Sequence, residues 1–186
     1  MLTSVHTIGV VGAGTMGSGV AQVFAHAGFI VRLADTSRPA LDRARAAIDA
    51  SLAKLVDKGK TTIEDRRAAL ERISMVTSLD SLAGADYVVE AIVEDASAKR
   101  ALFTTLDALV RPAVILASNT SSIPITAIAS LLKHPERVGG MHFFNPVPLM
   151  RLVEIIPGLK TAQWVTDAMM ALGKRMTREP VLCTDS

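Results

Sequence analysis

The stretch TIGVVGAGTMGSGVAQVFAHAG, Thr7 to Gly28, constrains the fold more than any other part of the chain. It reads as a short apolar strand over 7–12, a tight glycine turn, and an amphipathic helix from Met16 to Ala27. Gly12, Gly14 and Gly17 form G-x-G-x-x-G directly at the strand-to-helix junction. In that setting the first glycine permits the turn, the second lets a pyrophosphate approach the backbone, and the third lets the helix pack against the strand. The N–H groups of the helix's first turn, with Thr15 and Met16, and the partial positive charge there favour a bound diphosphate. Glycines are common in turns, so the spacing alone is weak. It gains weight from Asp35, which closes the second strand eighteen positions after Gly17 (35 − 17). An acid there accepts the ribose hydroxyls of adenosine and repels a 2′-phosphate, which favours NAD over NADP. Arg32 and Arg38 are the cations close enough in sequence to soften that preference.

The rest of the chain repeats the same alternation. Apolar runs at 29–35, 86–92, 113–118, 137–143 and 151–156 read as strands, with weaker ones at 73–76 and 179–183. Helical patterns at 96–109, 125–132 and 162–174 lie between them. Nearly continuous apolar strands joined by helices imply a doubly wound, mostly parallel α/β sheet of Rossmann type. One connection is too long for a single crossover helix. Residues 39–72 are charged, helical and interrupted by KGKTT, and read as a helical hairpin inserted after strand two, or as a solvated surface insertion.

Composition excludes several classes. A formal charge of +2, with one Trp and one Tyr, gives no platform for nucleic acid. No stretch approaches the ~18 uninterrupted apolar residues of a membrane span. The N-terminal segment lacks the basic region of a signal peptide. A single cysteine, Cys183, suits a reducing compartment. Together these point to a soluble cytoplasmic protein.

In an open α/β sheet the ligand lies beyond the carboxyl ends of the strands. EAIVED places Glu90, Glu94 and Asp95 at one such end, with Lys99 a turn later. SNTSS, Ser118 to Ser122, is a run of small polar residues in which Asn119 and Ser121 can bond a nicotinamide, a ribose or a substrate oxygen, or else cap the next helix. HFFNPVP ends another strand, and its link to RLVEII is too short for a parallel crossover. An antiparallel hairpin centred on Pro148 pairs positions that sum to 296, so His142 opposes Glu154. Opposed side chains have Cβ atoms ~4.5–5.5 Å apart, within range of an imidazole–carboxylate bond. A lone strand histidine is more often a satisfied core group; one paired with an acid at the nicotinamide end fits a base that removes a hydroxyl proton as hydride leaves.

GAGTMGSGVAQ, VVEAIVED, ASNTSS, HFFNPVP and LVEII together resemble the L-3-hydroxyacyl-CoA dehydrogenases, in that family's order and spacing, from Thr7 to the last residue. The resemblance implies NAD-dependent oxidation of an (S)-3-hydroxyacyl-CoA to the 3-ketoacyl-CoA, as in fatty-acid β-oxidation. It makes His142 the catalytic base, Glu154 its orienting acid and Asp35 the ribose acid. Glu94 and Lys99 become cofactor contacts, Asn145 a residue near the nicotinamide, and Ser121 a serine touching cofactor and substrate. Ser51 and Lys58, in the inserted hairpin, fall at coenzyme A contacts. It further implies that residues 1–186 are the NAD-binding domain alone, and that an all-helical C-terminal domain supplying homodimer contacts and one wall of the acyl-CoA cleft would follow. A sugar-acid dehydrogenase on the same scaffold and a non-catalytic NAD-sensing module are the competing readings.

Overall fold

The structure is a computed structural model that describes residues 5–185. Residues 1–4 and 186, which include the start of the segment read as lacking a leader, lie outside the described residues. The expected strands all form: β1 (Thr7–Val11), β2 (Ile30–Ala34), β3 (Ile73–Val76), β4 (Tyr87–Glu90), β5 (Ile115–Ser118), β6 (Val138–Phe143), β7 (Leu152–Pro157) and β8 (Glu179–Leu182). They join one sheet in the order β3-β2-β1-β4-β5-β6-β7-β8. Because β1 lies between β2 and β4, the direction of winding reverses beside the glycine loop, where such sheets open a crevice for ligand. β7 runs antiparallel to β6, and β8 returns parallel to β7.

Helices α1 (Thr15–His26), α2 (Arg38–Asp57), α3 (Ile63–Glu71), α4 (Ala96–Leu109), α5 (Ile125–Ala129) and α6 (Gln163–Arg175) cover both faces. The period-two alternation of the strands sorts their side chains between two cores. Ile8, Val10 and Val89 join Phe24, Phe143 and Met169 on one face. Val11 and Val88 join Phe103, Leu106 and Ile128 on the other.

The segment over 39–72 is the expected helical hairpin, and it is not a detached surface insertion. Leu41, Ala44, Ile48 and Leu52, spaced at helical intervals along α2, are buried in the same core as α1. Local chemistry sets its ends. The Ser37 hydroxyl caps α2, with Pro39 in the first turn, and the Thr62 hydroxyl accepts from the Asp65 N–H at 3.0 Å to cap α3. α5 stops at Ala129 and does not reach Leu132, because the chain turns aside to bring the Lys133 N–H to the Asp107 carboxylate at 2.8 Å.

That carboxylate also holds the most deeply buried cation. Arg137 is fully buried; its guanidinium donates to Asp107 Oδ1 at 2.7 Å and to the Asp107, Arg111 and Val114 carbonyls. Removing the acid would strand a buried charge, so Asp107→Ala should cost about 3–5 kcal/mol. Asp42→Ala, at the exposed Arg38–Asp42 pair, should cost less than about 1 kcal/mol. Urea denaturation of the two variants compares them directly; equal shifts of the midpoint would contradict the assignment.

Candidate active site

The glycine loop is built by close approach. Gly12 has φ +103°, and a Cβ there would lie 2.5 Å from the Ala91 carbonyl oxygen at the end of β4. At Gly17 a Cβ would stand 1.7 Å from the Gly12 oxygen. A Cβ on Gly14 meets nothing within 4 Å and would project into open space. The protein's own packing therefore demands the first and third glycines, while the second leaves room only a ligand would use. No side chain caps the N-terminus of α1, so the N–H groups of that turn remain available to an anion. These features fit the diphosphate of NAD.

Asp35 does two things here. Its Oδ2 accepts from the Ala13 N–H and its Oδ1 from the Ser37 N–H, both at 2.8 Å, so it ties the glycine loop to the start of α2. Each oxygen retains a second lone pair for a ribose hydroxyl. Beside it, Val11, Ala34, Leu79 and Leu102 line an apolar pocket of about 180 Å³, suited to a flat heterocycle. No local sequence pattern marks this pocket, since these four wall residues come from four separate segments. The main cleft, of about 660 Å³, runs from Gly14 and Thr15 past Ser18 and Arg43 to Ser51 and Asn145.

The hairpin register is the one expected from sequence: His142 opposes Glu154. His142 Nδ1 lies 2.8 Å from Glu154 Oε2, with both side chains partly buried. A carboxylate at that distance holds the proton on Nδ1 and leaves Nε2 as the basic nitrogen. The Phe144 ring packs against the imidazole, with centroids 4.6 Å apart. Asn119 reaches the same place from the neighbouring strand, its Oδ1 accepting from the Phe143 N–H at 2.9 Å.

Glu94 and the SNTSS loop meet. Glu94 Oε1 accepts from the Thr120 hydroxyl at 2.5 Å, the Ser121 N–H at 3.0 Å and the Ser122 N–H at 3.3 Å. Lys99 lies behind them, 1% exposed, with Nζ 2.5 Å from Glu90 Oε1 and 3.2 Å from Glu94 Oε2. The cofactor contact expected of Lys99 would therefore have to run through Glu94. Ser121 is exposed on its loop, Asn145 and Ser51 line the cleft, Met16 is half-buried behind Thr15, and Lys58 sits exposed at the end of α2, two turns beyond Ser51.

Burial raises the Glu94 carboxyl, but the Thr120 hydroxyl, the Ser121 N–H and the Lys99 ammonium outweigh it and hold its pKa down at about 2. A depressed carboxylate stabilises the fold above its unfolded pKa, and that contribution fades as pH falls through the folded value. Glu94→Gln should therefore lower Tm near neutrality, and the gap from the parent should shrink by more than half between about pH 6 and pH 3. Thermal melts across that range test it; a gap independent of pH would refute the pairing.

Comparison with known proteins shows the family. Residues 7–186 match the family described as 3-hydroxyacyl-CoA dehydrogenase, NAD binding domain. The chain is 46% identical to the 3-hydroxyadipyl-CoA dehydrogenase of Escherichia coli, over 98% of this chain and 38% of that protein. It is 46% identical to a probable 3-hydroxybutyryl-CoA dehydrogenase of Bacillus subtilis, over 95% of this chain and 61% of that protein. The crystal structure of (S)-3-hydroxybutyryl-CoA dehydrogenase from Ralstonia eutropha superposes with a TM-score of 0.96 at 43% identity, covering 98% of this chain and 65% of that one. The chain thus spans between about two fifths and two thirds of the length of these relatives. With its glycine loop, strand order and sequence in agreement, the chain belongs to the 3-hydroxyacyl-CoA dehydrogenase NAD-binding domain family.

Proposed function

We propose that this chain is the NAD-binding half of a cytoplasmic dehydrogenase that oxidises the 3-hydroxyl of an (S)-3-hydroxyacyl-CoA to a ketone. The observation that carries the reading is the His142–Glu154 pair, 2.8 Å apart, one residue from the end of β6. NAD, when bound, supplies the acceptor for the hydride leaving the substrate carbon. The chain's own residues handle the proton and the positioning. His142 Nε2 takes the hydroxyl proton, and the Glu154 carboxylate stabilises the imidazolium that results. Ser121 and Asn145 orient the reacting oxygen and the nicotinamide. Asp35 holds the adenosine ribose, and Ser51 and Lys58 face the coenzyme A moiety.

The relatives are longer than the matched region; in this reading an all-helical portion outside these residues supplies the other wall of the acyl-CoA cleft and the homodimer contacts. In the protein carried to its relatives' length, NAD reduction by 3-hydroxybutyryl-CoA should be lost by roughly 10²–10⁴-fold in kcat on His142→Gln, with NAD affinity retained. An absence of NADH formation by the parent, or normal turnover by the variant, would sink the reading.

A further inference from the structure

The main cleft does not end at Ser51. It continues past Gln22 and Pro148, which line both cavities, into a second pocket of about 260 Å³. His26, Lys60 and Arg178 line that pocket, and among the described residues no acidic side chain does.

Three local features converge there. Among the described residues, two buried side-chain polar atoms lack a hydrogen-bond partner: Arg178 Nε, and the hydroxyl of Thr61, which follows Lys60 in the chain. A buried donor without a partner is costly and uncommon. Thr177, beside Arg178, holds φ +59° just past the end of α6. That position favours glycine, and a β-branched residue there is strained. Finally, the surroundings disfavour the charge of Arg178: burial lowers its pKa, and the neighbouring Arg151 cation adds to this. Arg151 has its own partner in Glu179 at 3.1 Å. Asp65, whose carboxylate feels the charge of His26, is exposed and outside the pocket wall.

One structural role for these cations would be to neutralise helix ends, since α1, α2 and α6 all terminate at this corner. The last turns are already closed by backbone donors. The Gly28 N–H bonds the Ala25 oxygen at 3.1 Å, the Gly59 N–H the Val56 oxygen at 2.8 Å, and the Thr177 N–H the Lys174 oxygen at 2.9 Å. None of these carbonyls takes the Arg178 guanidinium, and its Nε stays without a partner. A guanidinium, an ammonium and an imidazole around a small cavity make a donor-rich set matched to phosphate oxygens.

We infer that the pocket formed by His26, Lys60 and Arg178 binds a phosphate monoester, whether free or carried as the 3′-phosphate of a coenzyme A thioester lying in the adjoining cleft. The coenzyme A source rests on the proposed function; the phosphate site itself does not.

Titrating the chain with inorganic phosphate, coenzyme A and 3′-dephospho-coenzyme A tests both. Arg178→Gln should weaken coenzyme A binding by at least about tenfold, the loss expected of a charged hydrogen bond. Dephospho-coenzyme A should bind the parent about as weakly as coenzyme A binds the variant, Arg178→Lys should restore part of the loss, and NAD affinity should stay at the parent value. If the variant loses phosphate binding while the two coenzymes bind the parent alike, the site stands with free phosphate as its source. If Arg178→Gln leaves both phosphate and coenzyme A binding unchanged while keeping the parent's melting curve, the inference is overturned. NADH formation by the full-length protein with a silent Arg178→Gln would remove the pocket and leave the dehydrogenase reading intact. Arg178-dependent phosphate binding without NADH formation would do the reverse.

Discussion

The site is organised around a carboxylate that never reaches solvent. Glu90, at the end of β4, is fully buried, and a buried charge is tolerated only when paired and hydrogen-bonded. Its Oε1 takes the Lys99 ammonium and the Ile92 N–H, and its Oε2 takes the Ser118 hydroxyl at 2.6 Å. Those bonds join α4, the turn after β4 and the end of β5 at a single point. The Glu94 and SNTSS cluster hangs from it. Lys99 extends the charge to Glu94, which gathers the SNTSS loop. The Asn119 N–H bonds the Glu90 carbonyl at 2.8 Å while the Asn119 side chain holds Phe143, the neighbour of His142. The backbone next to the imidazole is thus linked, through Asn119, to the main chain of Glu90 two strands away.

This explains which parts were legible in the sequence. The strands, their mostly parallel arrangement and the His142–Glu154 pairing follow from local rules: apolar runs, glycine spacing, and a link too short for a crossover. Each needs only neighbouring residues. The resemblance makes Lys99 a cofactor contact, yet its side chain is 1% exposed and paired with Glu90. Its burial depends on Glu90 and Ser118, which adjacent strands bring together. The early end of α5 had the same kind of cause, a hydrogen bond to Asp107 from another helix. The inserted hairpin was ambiguous because its charged residues suggest solvation, and its buried stripe has meaning only once α1 is beside it.

Asp35 shows a structural bond and a recognition role sharing one carboxylate. Its bonds to the Ala13 and Ser37 N–H groups use one lone pair on each oxygen and align the remaining pairs. The acid that would read a ribose is therefore also the strut that shapes the diphosphate loop. Replacing it to admit a 2′-phosphate would alter the loop as well as the charge. Specificity for the dinucleotide is consequently coupled to the fold of its binding site.

The same coupling joins the two halves of the chemistry. A Cβ on Gly19 of α1 would lie 2.7 Å from the Val147 side chain, so the helix that begins at the glycine loop packs directly beneath the loop carrying Asn145. Val147 is 1% exposed, wedged between helix and sheet. The sequence shows a fourth glycine in GAGTMGSG without revealing its purpose, because its partner is 128 positions away (147 − 19). The contact means that the helix end facing a diphosphate and the strand end bearing His142 belong to one packed unit. A shift of α1 on binding an anion would be felt at Val147, and hence in the loop that lines the cleft and connects β6 to β7.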